Sequence, residues 1–268
     1  MTRKSISFYK YQGAGNDFVM IDNRFHPQLE ANQQKVIHRL CDRRFGIGGD
    51  GLIFLQNHPT YDFEMVYFNA DGTEGSLCGN GARCTVAFAK FLNIIDDPCT
   101  FLAIDGPHQA TINTEGNWVE LKMNDVHNVQ NRSGDYELNT GSPHYIQFVE
   151  DLAHLDVYQL GKSIRYNDTY QQDGINVNFV ETSPKGFAIR TYERGVENET
   201  LACGTGVTAA AIAYALANPE SAEHWLRKGG IPVQAQGGQL KVRFDQSAAG
   251  FTDIWLCGPA TFVFKGEV

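Results

Sequence analysis

The sequence has no run of lysine and arginine, no stretch approaching the roughly 18 apolar residues of a membrane span, and no Cys-x-x-Cys pair. Each absence excludes a class of protein. Without a basic run, and with 31 acidic against 22 basic residues, the chain does not suit nucleic acid as a partner. A membrane is not an expected partner either. The first residues, Met1-Thr-Arg-Lys-Ser-Ile-Ser-Phe-Tyr9, lack the apolar core of a secretory signal, so the cytoplasm is the expected compartment. The six cysteines, at 41, 78, 84, 99, 203 and 257, fit neither a zinc ribbon nor a thioredoxin-type motif; they are expected to be thiols, and no metal site is expected. The glycine-rich segment Gly46-Ile-Gly-Gly-Asp-Gly51 is not followed by Gly-Lys-[Ser/Thr], so it reads as a tight turn into a strand, not as a phosphate loop. A small soluble ligand fits this chain best.

What is present is strand-forming texture. Short β-branched and aromatic runs bounded by Gly, Asn and Asp cover 6–11, 18–21, 52–55, 63–68, 118–123, 144–149, 175–180, 187–192, 240–244 and 260–265. Two segments, 82–92 and 207–217, read instead as helices, and both are apolar nearly all round, as a helix buried in a core must be. Each follows a Cys-Gly-x-Gly motif, and the sequence places a Pro-containing segment after each, Asp96-Asp-Pro98 and Asn218-Pro219, as its closing signal. The stretch leading into Cys78-Gly-Asn-Gly81 resembles the stretch leading into Cys203-Gly-Thr-Gly206, about half a chain length away: a polar residue ends a strand, an acidic turn follows, and the cysteine motif opens a buried helix. This is the pattern of a duplicated domain. The expected fold is α/β (α+β), with two pseudo-symmetric lobes, each a strongly curved and mostly antiparallel sheet around a central buried helix. A site in the cleft between the lobes follows from that arrangement. The expected boundaries are 1–123 and 124–254, with the last strand, about 255–268, returning to the first lobe.

The first turn of a helix carries backbone N–H groups without intrahelical partners and roughly half a positive charge. A cysteine there is readily held as thiolate, and glycines at 79, 81, 204 and 206 remove Cβ atoms that would keep a ligand away. One such motif suggests a nucleophilic cysteine or a tight turn. Two copies suggest an acid/base pair: amides from both helix starts converge on one carboxylate while the two sulfurs bracket its α-carbon, one removing a proton and the other delivering one. Nothing in the sequence resembles a pyridoxal-phosphate site, so no cofactor is expected and the carbanion must be stabilised by the amides themselves.

These residues resemble the diaminopimelate epimerase family, which interconverts LL- and meso-2,6-diaminopimelate in bacterial lysine and cell-wall synthesis. The resemblance covers nearly the whole chain and rests on Gly13-Ala-Gly-Asn-Asp-Phe-Val19, Asp42-Arg-Arg-Phe-Gly-Ile-Gly-Gly-Asp-Gly51, Phe68-Asn-Ala-Asp-Gly72, Cys78-Gly-Asn-Gly-Ala-Arg83, Ser142-Pro-His144, Asn176-Val-Asn-Phe179, Tyr192-Glu-Arg-Gly195 and Ala202-Cys-Gly-Thr-Gly206. It implies that Cys78 and Cys203 are the acid/base pair and that Gly79, Asn80, Gly204 and Thr205 supply amides to the reacting carboxylate. It implies that His144 and Glu193 hold the α-amino group, and that Asn16, Asn69, Asn176 and Arg194 bind the distal amino-acid end, Arg194 through its planar fork. A homodimer is likewise the family expectation. One position departs from the family pattern: Ser142 stands where many members carry Asn two residues before the histidine, and its hydroxyl has a shorter reach.

Read without the resemblance, the same residues leave other functions open. A two-cysteine racemase acting on a shorter amino acid such as proline would not need Asn69, Asn176 and Arg194. A cysteine-nucleophile hydrolase would use one sulfur with His144 as base, and an amino-acid-binding protein would use neither. Cys41, Cys84, Cys99 and Cys257 read as structural thiols.

Overall fold

Parallel neighbours in a sheet need a crossover between them, and helices supply those crossovers throughout this chain. The structure, a computed structural model, describes residues 5–25, 33–75, 77–115 and 117–268. Ser76, within the first of the two paired segments, and residues 1–4 of the N-terminal reading lie outside them. Contacts divide the chain into two compact units, residues 1–121 with 258–268, and residues 122–257.

Unit 1 runs β1 (Ser7–Gly13), β2 (Asn16–Asp22), α1 (Gln34–Cys41), β3 (Gly51–Gln56), β4 (Phe63–Asn69), α2 (Gly79–Phe91), β5 (Cys99–Ala103), β6 (Gly106–Ile112) and β7 (Trp118–Lys122). Unit 2 continues with β8 (Val129–Arg132), β9 (Asp135–Asn139), β10 (Pro143–Phe148), α3 (Val157–Arg165), β11 (Asn176–Ser183), β12 (Gly186–Glu193), β13 (Asn198–Thr200), α4 (Gly204–Ala217), α5 (Pro219–Arg227), β14 (Ile231–Ala235), β15 (Gly238–Ser247) and β16 (Gly250–Pro259). The last strand, β17 (Thr261–Glu267), returns to unit 1 and pairs with β1.

The two units repeat one pairing scheme. In unit 1 the order is β17-β1-β2-β3-β4-β5-β6-β7, with β2–β3 and β4–β5 parallel and the other neighbours antiparallel. In unit 2 it is β8-β9-β10-β11-β12-β14-β15-β16, with β10–β11 and β12–β14 parallel and the others antiparallel. The parallel pairs fall at the same two places in each order. Helices α1 and α2 bridge them in unit 1, α3 and α4 in unit 2.

Each sheet is covered on both faces, and this explains its continuous apolar runs. Alternate residues of β2 and β3 split between the faces. Val19, Ile21, Leu52 and Phe54 pack with Ile37 and Leu40 of α1, whereas Phe18 and Ile53 lie under Gly81 of α2. In unit 2, Val177, Phe179 and Tyr192 pack with Val157 of α3. Full burial of one such side chain stabilises by about 1.5–3 kcal/mol.

The sequence places α2 and α4 correctly but starts them three residues late, because Gly is a poor helix former. As first-turn residues, Gly79 and Gly204 are tolerated. Pro98 does not close α2. Asn93, in the left-handed region at φ 57°, does so, with its amide on the carbonyl of Lys90 and that of Ile94 on the carbonyl of Ala89. Pro219 sits in the first turn of α5, where its missing N–H costs nothing.

Candidate active site

Cys78 and Cys203 occupy the same structural position in their units. Each is the residue before a helix, with φ −102° and ψ 114° at Cys78 and φ −108° and ψ 111° at Cys203. The carbonyl of each accepts the first intrahelical bond, from the amides of Ala82 and Val207, both at 2.8 Å. Neither sulfur caps its helix. In front of each helix start the aligned peptide dipoles favour negative charge.

In unit 1 a chain of polar contacts ties the helix start to the glycine-rich loop. Arg83, fully buried in the second turn of α2, donates to Asn80 Oδ1 at 2.8 Å. Asn80 Nδ2 donates to Asn16 Oδ1, and Asn16 Nδ2 donates to Asp50 Oδ2 at 3.0 Å. Arg43 reaches Asp50 at 2.7 Å and grips Asp17 with two bonds, at 3.0 and 2.6 Å, while Lys10 pairs with Asp17 at 2.7 Å. Burial pushes the Asp17 carboxyl up, but hydrogen bonds from Arg43 and Lys10 outweigh it and hold the group at about 2. The loop 46–51 does turn into β3, as its sequence suggests, and Asp50 also orients Asn16. Asn69, at the end of β4, donates to Thr73 Oγ1 at 3.3 Å within an exposed turn.

In unit 2 the inner faces of β10 and β11 carry polar residues under α4. His144 has no exposed surface. Its Nε2 lies 2.9 Å from Thr205 Oγ1 and its Nδ1 lies 3.1 Å from Asn178 Nδ2. Burial, with the charge of Arg194 adding to it, lowers the imidazole to about 3, so it is neutral. With both ring nitrogens engaged inside the protein, His144 sits behind Thr205 and not on an open ligand surface. Asn176 is also held at both ends: Nδ2 donates to Ser142 Oγ at 2.8 Å and to the Pro143 carbonyl at 3.0 Å, while Oδ1 accepts the Arg194 amide at 2.9 Å. Arg194 itself is exposed, and its guanidinium is steadied by the Asp173 carbonyl at 3.0 Å and by Ser142 Oγ at 3.4 Å. The Ser142 hydroxyl thus supports Arg194 and Asn176. Glu193, at the end of β12, accepts from Thr200 Oγ1 at 2.9 Å.

At two of the four motif glycines the protein itself crowds the place a side chain would take. A Cβ on Gly81 would lie 3.0 Å from Ile53 Cδ1, and one on Gly206 would lie 2.4 Å from Asn178 Oδ1. The remaining cysteines are buried, and burial raises Cys41, Cys84 and Cys99 to about 12, which keeps them as thiols. Among the described residues no group of three or more His, Cys, Asp and Glu could hold a metal ion, and no helix is long and apolar enough to cross a membrane.

Sequence reasoning passed over Asp50, Arg43 and Asn178. Asn178 left a signal: it is two residues from Asn176, so both polar side chains fall on one face of β11.

The duplicated units, each with a cysteine at a helix start, form a mixed α/β fold that solved structures share. A Bacillus anthracis phenazine biosynthesis protein of the PhzF family matches with a TM-score of 0.74 at 16% identity, over 99% of both chains. A probable proline racemase from Agrobacterium radiobacter matches with a TM-score of 0.64 at 14% identity, over 98% of this chain and 92% of that one. The sequence profile of the diaminopimelate epimerase family matches residues 8–129 and 136–263, and the chain belongs to that family. The diaminopimelate epimerase of Flavobacterium psychrophilum is 52% identical over 98% of this chain and all of its own, and that of Aquifex aeolicus is 34% identical over 98% of each.

Proposed function

We propose that the protein interconverts LL- and meso-2,6-diaminopimelate, placing it in lysine biosynthesis and the supply of peptidoglycan precursor. The observation that carries this reading is the full-length likeness to the diaminopimelate epimerase of Flavobacterium psychrophilum, at 52% identity. The duplicated cysteine helix starts supply the chemistry. In this reading one sulfur, as thiolate, takes the α-hydrogen as a proton, and the C–H electron pair moves into the carboxylate, which gains enediolate character. The other sulfur, as thiol, gives a proton to the opposite face. The roles of the two sulfurs are then exchanged, and no electrons leave the substrate.

Amides of Gly79, Asn80, Gly204 and Thr205 are assigned to the reacting carboxylate. Donors of this kind contribute about 3–4 kcal/mol each when water is excluded. Glu193 is assigned to the α-amino group. Arg194, exposed and braced, is assigned to the distal carboxylate, with Asn16, Asn69 and Asn176 shaping that end; His144 is assigned to the site through Thr205. A proline-type racemase has no use for the Arg194 arm. Purified protein given LL-diaminopimelate is therefore expected to yield the meso isomer on chiral chromatography and to leave L-proline unchanged; the reverse result would sink this substrate assignment.

The working form is proposed to be a cytoplasmic homodimer. Phe262, Val263 and Phe264 lie exposed on β17, with Phe262 stacked on the exposed Phe91, and together they offer an apolar strand to a second copy. A monomer in sedimentation equilibrium would contradict it.

A further inference from the structure

The hydrogen-bond directions beneath α4 form an ordered series that ends at a sulfur. It begins at Asn178, which has no exposed surface. The Thr191 hydroxyl lies 2.9 Å from Asn178 Oδ1, and Asn178 Nδ2 lies 3.1 Å from the carbonyl of Tyr145 and 3.4 Å from that of Asn176. Carbonyl oxygens only accept, so the amide nitrogen must be the end that faces them, and the orientation of the side chain is fixed.

The same nitrogen lies 3.1 Å from His144 Nδ1. Nδ1 therefore accepts. A neutral imidazole carries one ring proton, so that proton is on Nε2 and is donated to Thr205 Oγ1 at 2.9 Å. The threonine oxygen, having accepted, directs its own hydrogen elsewhere. Cys203 Sγ lies 3.5 Å from it, within sulfur hydrogen-bond range.

Gly206 supports the arrangement independently. A Cβ there would come within 2.4 Å of Asn178 Oδ1, so the last glycine of Cys-Gly-Thr-Gly admits Asn178 beneath the helix start. At the matching helix position of unit 1 the residue type differs. Asn80 stands there, with its amide engaged to Asn16 and Arg83.

We infer that Asn178 is a positioning residue which, through His144, turns the Thr205 hydroxyl so that it donates to the sulfur of Cys203 and favours the thiolate of that cysteine. His144 is then a tautomer-locked spacer, and Thr205 is the group that touches the reacting atom. The inference rests on the reading of Cys203 as one of the two proton-transfer groups. It adds that Cys203 has a dedicated donor besides its helix start. A hydrogen bond to a charged partner changes an equilibrium by roughly tenfold or more, and this sets the expected effect.

The test uses the full chain and iodoacetamide at one fixed pH, with modification at Cys203 and Cys78 followed separately by mass spectrometry. Thr205→Val is expected to slow alkylation of Cys203 about tenfold and to reduce its ultraviolet thiolate absorbance, with Cys78 unchanged as internal reference. Thr205→Ser, which keeps the hydroxyl, is expected to restore the rate. Nitrogen NMR of histidine-labelled wild-type protein, with the His144 resonance identified by its loss in His144→Gln, is expected to show the Nε2-protonated neutral tautomer. That reading needs no variant at Asn178 or Thr205. An Nδ1-protonated ring, or a Thr205→Val protein whose Cys203 reacts at the wild-type rate, would overturn the inference. Failure of the functional reading looks different: the tautomer and the alkylation pattern would hold while the wild type left diaminopimelate untouched.

Discussion

Replacing either Cys78 or Cys203 by alanine is expected to cut inversion of diaminopimelate by about 10³-fold or more, since a positioned acid or base contributes about 10²–10⁴-fold and inversion needs both. The two losses should be alike in size but not in what remains. The sulfur left in each variant still faces one stereoisomer, so that isomer should exchange its α-hydrogen with deuterium from solvent and keep its configuration. The preferred isomer should differ between the two variants. Turnover near the wild-type rate in either variant would eliminate the two-base reading and favour a single-nucleophile mechanism. Folding is not at risk in the same degree, because neither sulfur caps its helix and Cys→Ala removes little volume.

The second large effect is on stability. His144 is held neutral at about 3 by burial and by the charge of Arg194, against an ordinary value of 6.5. Because the folded value is depressed, the unfolded chain binds a proton that the folded chain refuses anywhere between the two. The stabilisation is fully present above pH 6.5 and is lost progressively as pH falls toward 3. The slope is about 1.4 kcal/mol per pH unit inside that window. Urea unfolding between about pH 7 and about pH 5 lies above the range where carboxylates titrate, and comparison with a variant lacking His144 separates this contribution from those of the seven other histidines. His144→Gln is the matching control. A glutamine amide can accept from Asn178 at one end and donate to Thr205 at the other, yet does not titrate, so the variant should show a flatter dependence. Equal slopes in the two proteins would mean that His144 takes up its proton in the folded state.

The sequence carries the two cysteine motifs and the duplication plainly, because both are local patterns. A cysteine beside two glycines, followed by a helix with no polar face, can be read without knowing what packs on it. The identical alternation of parallel and antiparallel neighbours in the two units could not be read. It depends on where α1 and α3 cross, and these short amphipathic helices, Gln34–Cys41 and Val157–Arg165, lie in polar stretches that the strand texture overshadowed. The short strands Val129–Arg132 and Asn198–Thr200 were missed for a related reason, since none of their residues is buried and neighbours, not propensity, hold them in place.

The roles of the polar site residues were the least legible. The family resemblance implies ligand contacts for His144 and Asn176; what the sequence does not show is that each also has protein partners at both ends of its polar group. A list of residue types cannot show which hydrogen bonds are already made. Asp50 reads as part of a turn because its effect on Asn16 crosses from one strand to its parallel neighbour. That Gly206 also makes room for Asn178 is hidden in the sequence because the two residues are far apart in it.

The central claim is that the proton removed and the proton delivered belong to different groups. Its most direct test is the isotope content of both isomers after brief reaction of LL-diaminopimelate in deuterium oxide, read by NMR and mass spectrometry at low conversion. The two-thiol account predicts that the meso product carries deuterium at the inverted carbon while recovered LL substrate still carries hydrogen. A meso product that retains the original hydrogen would contradict it, because one group would then have moved a single proton from face to face.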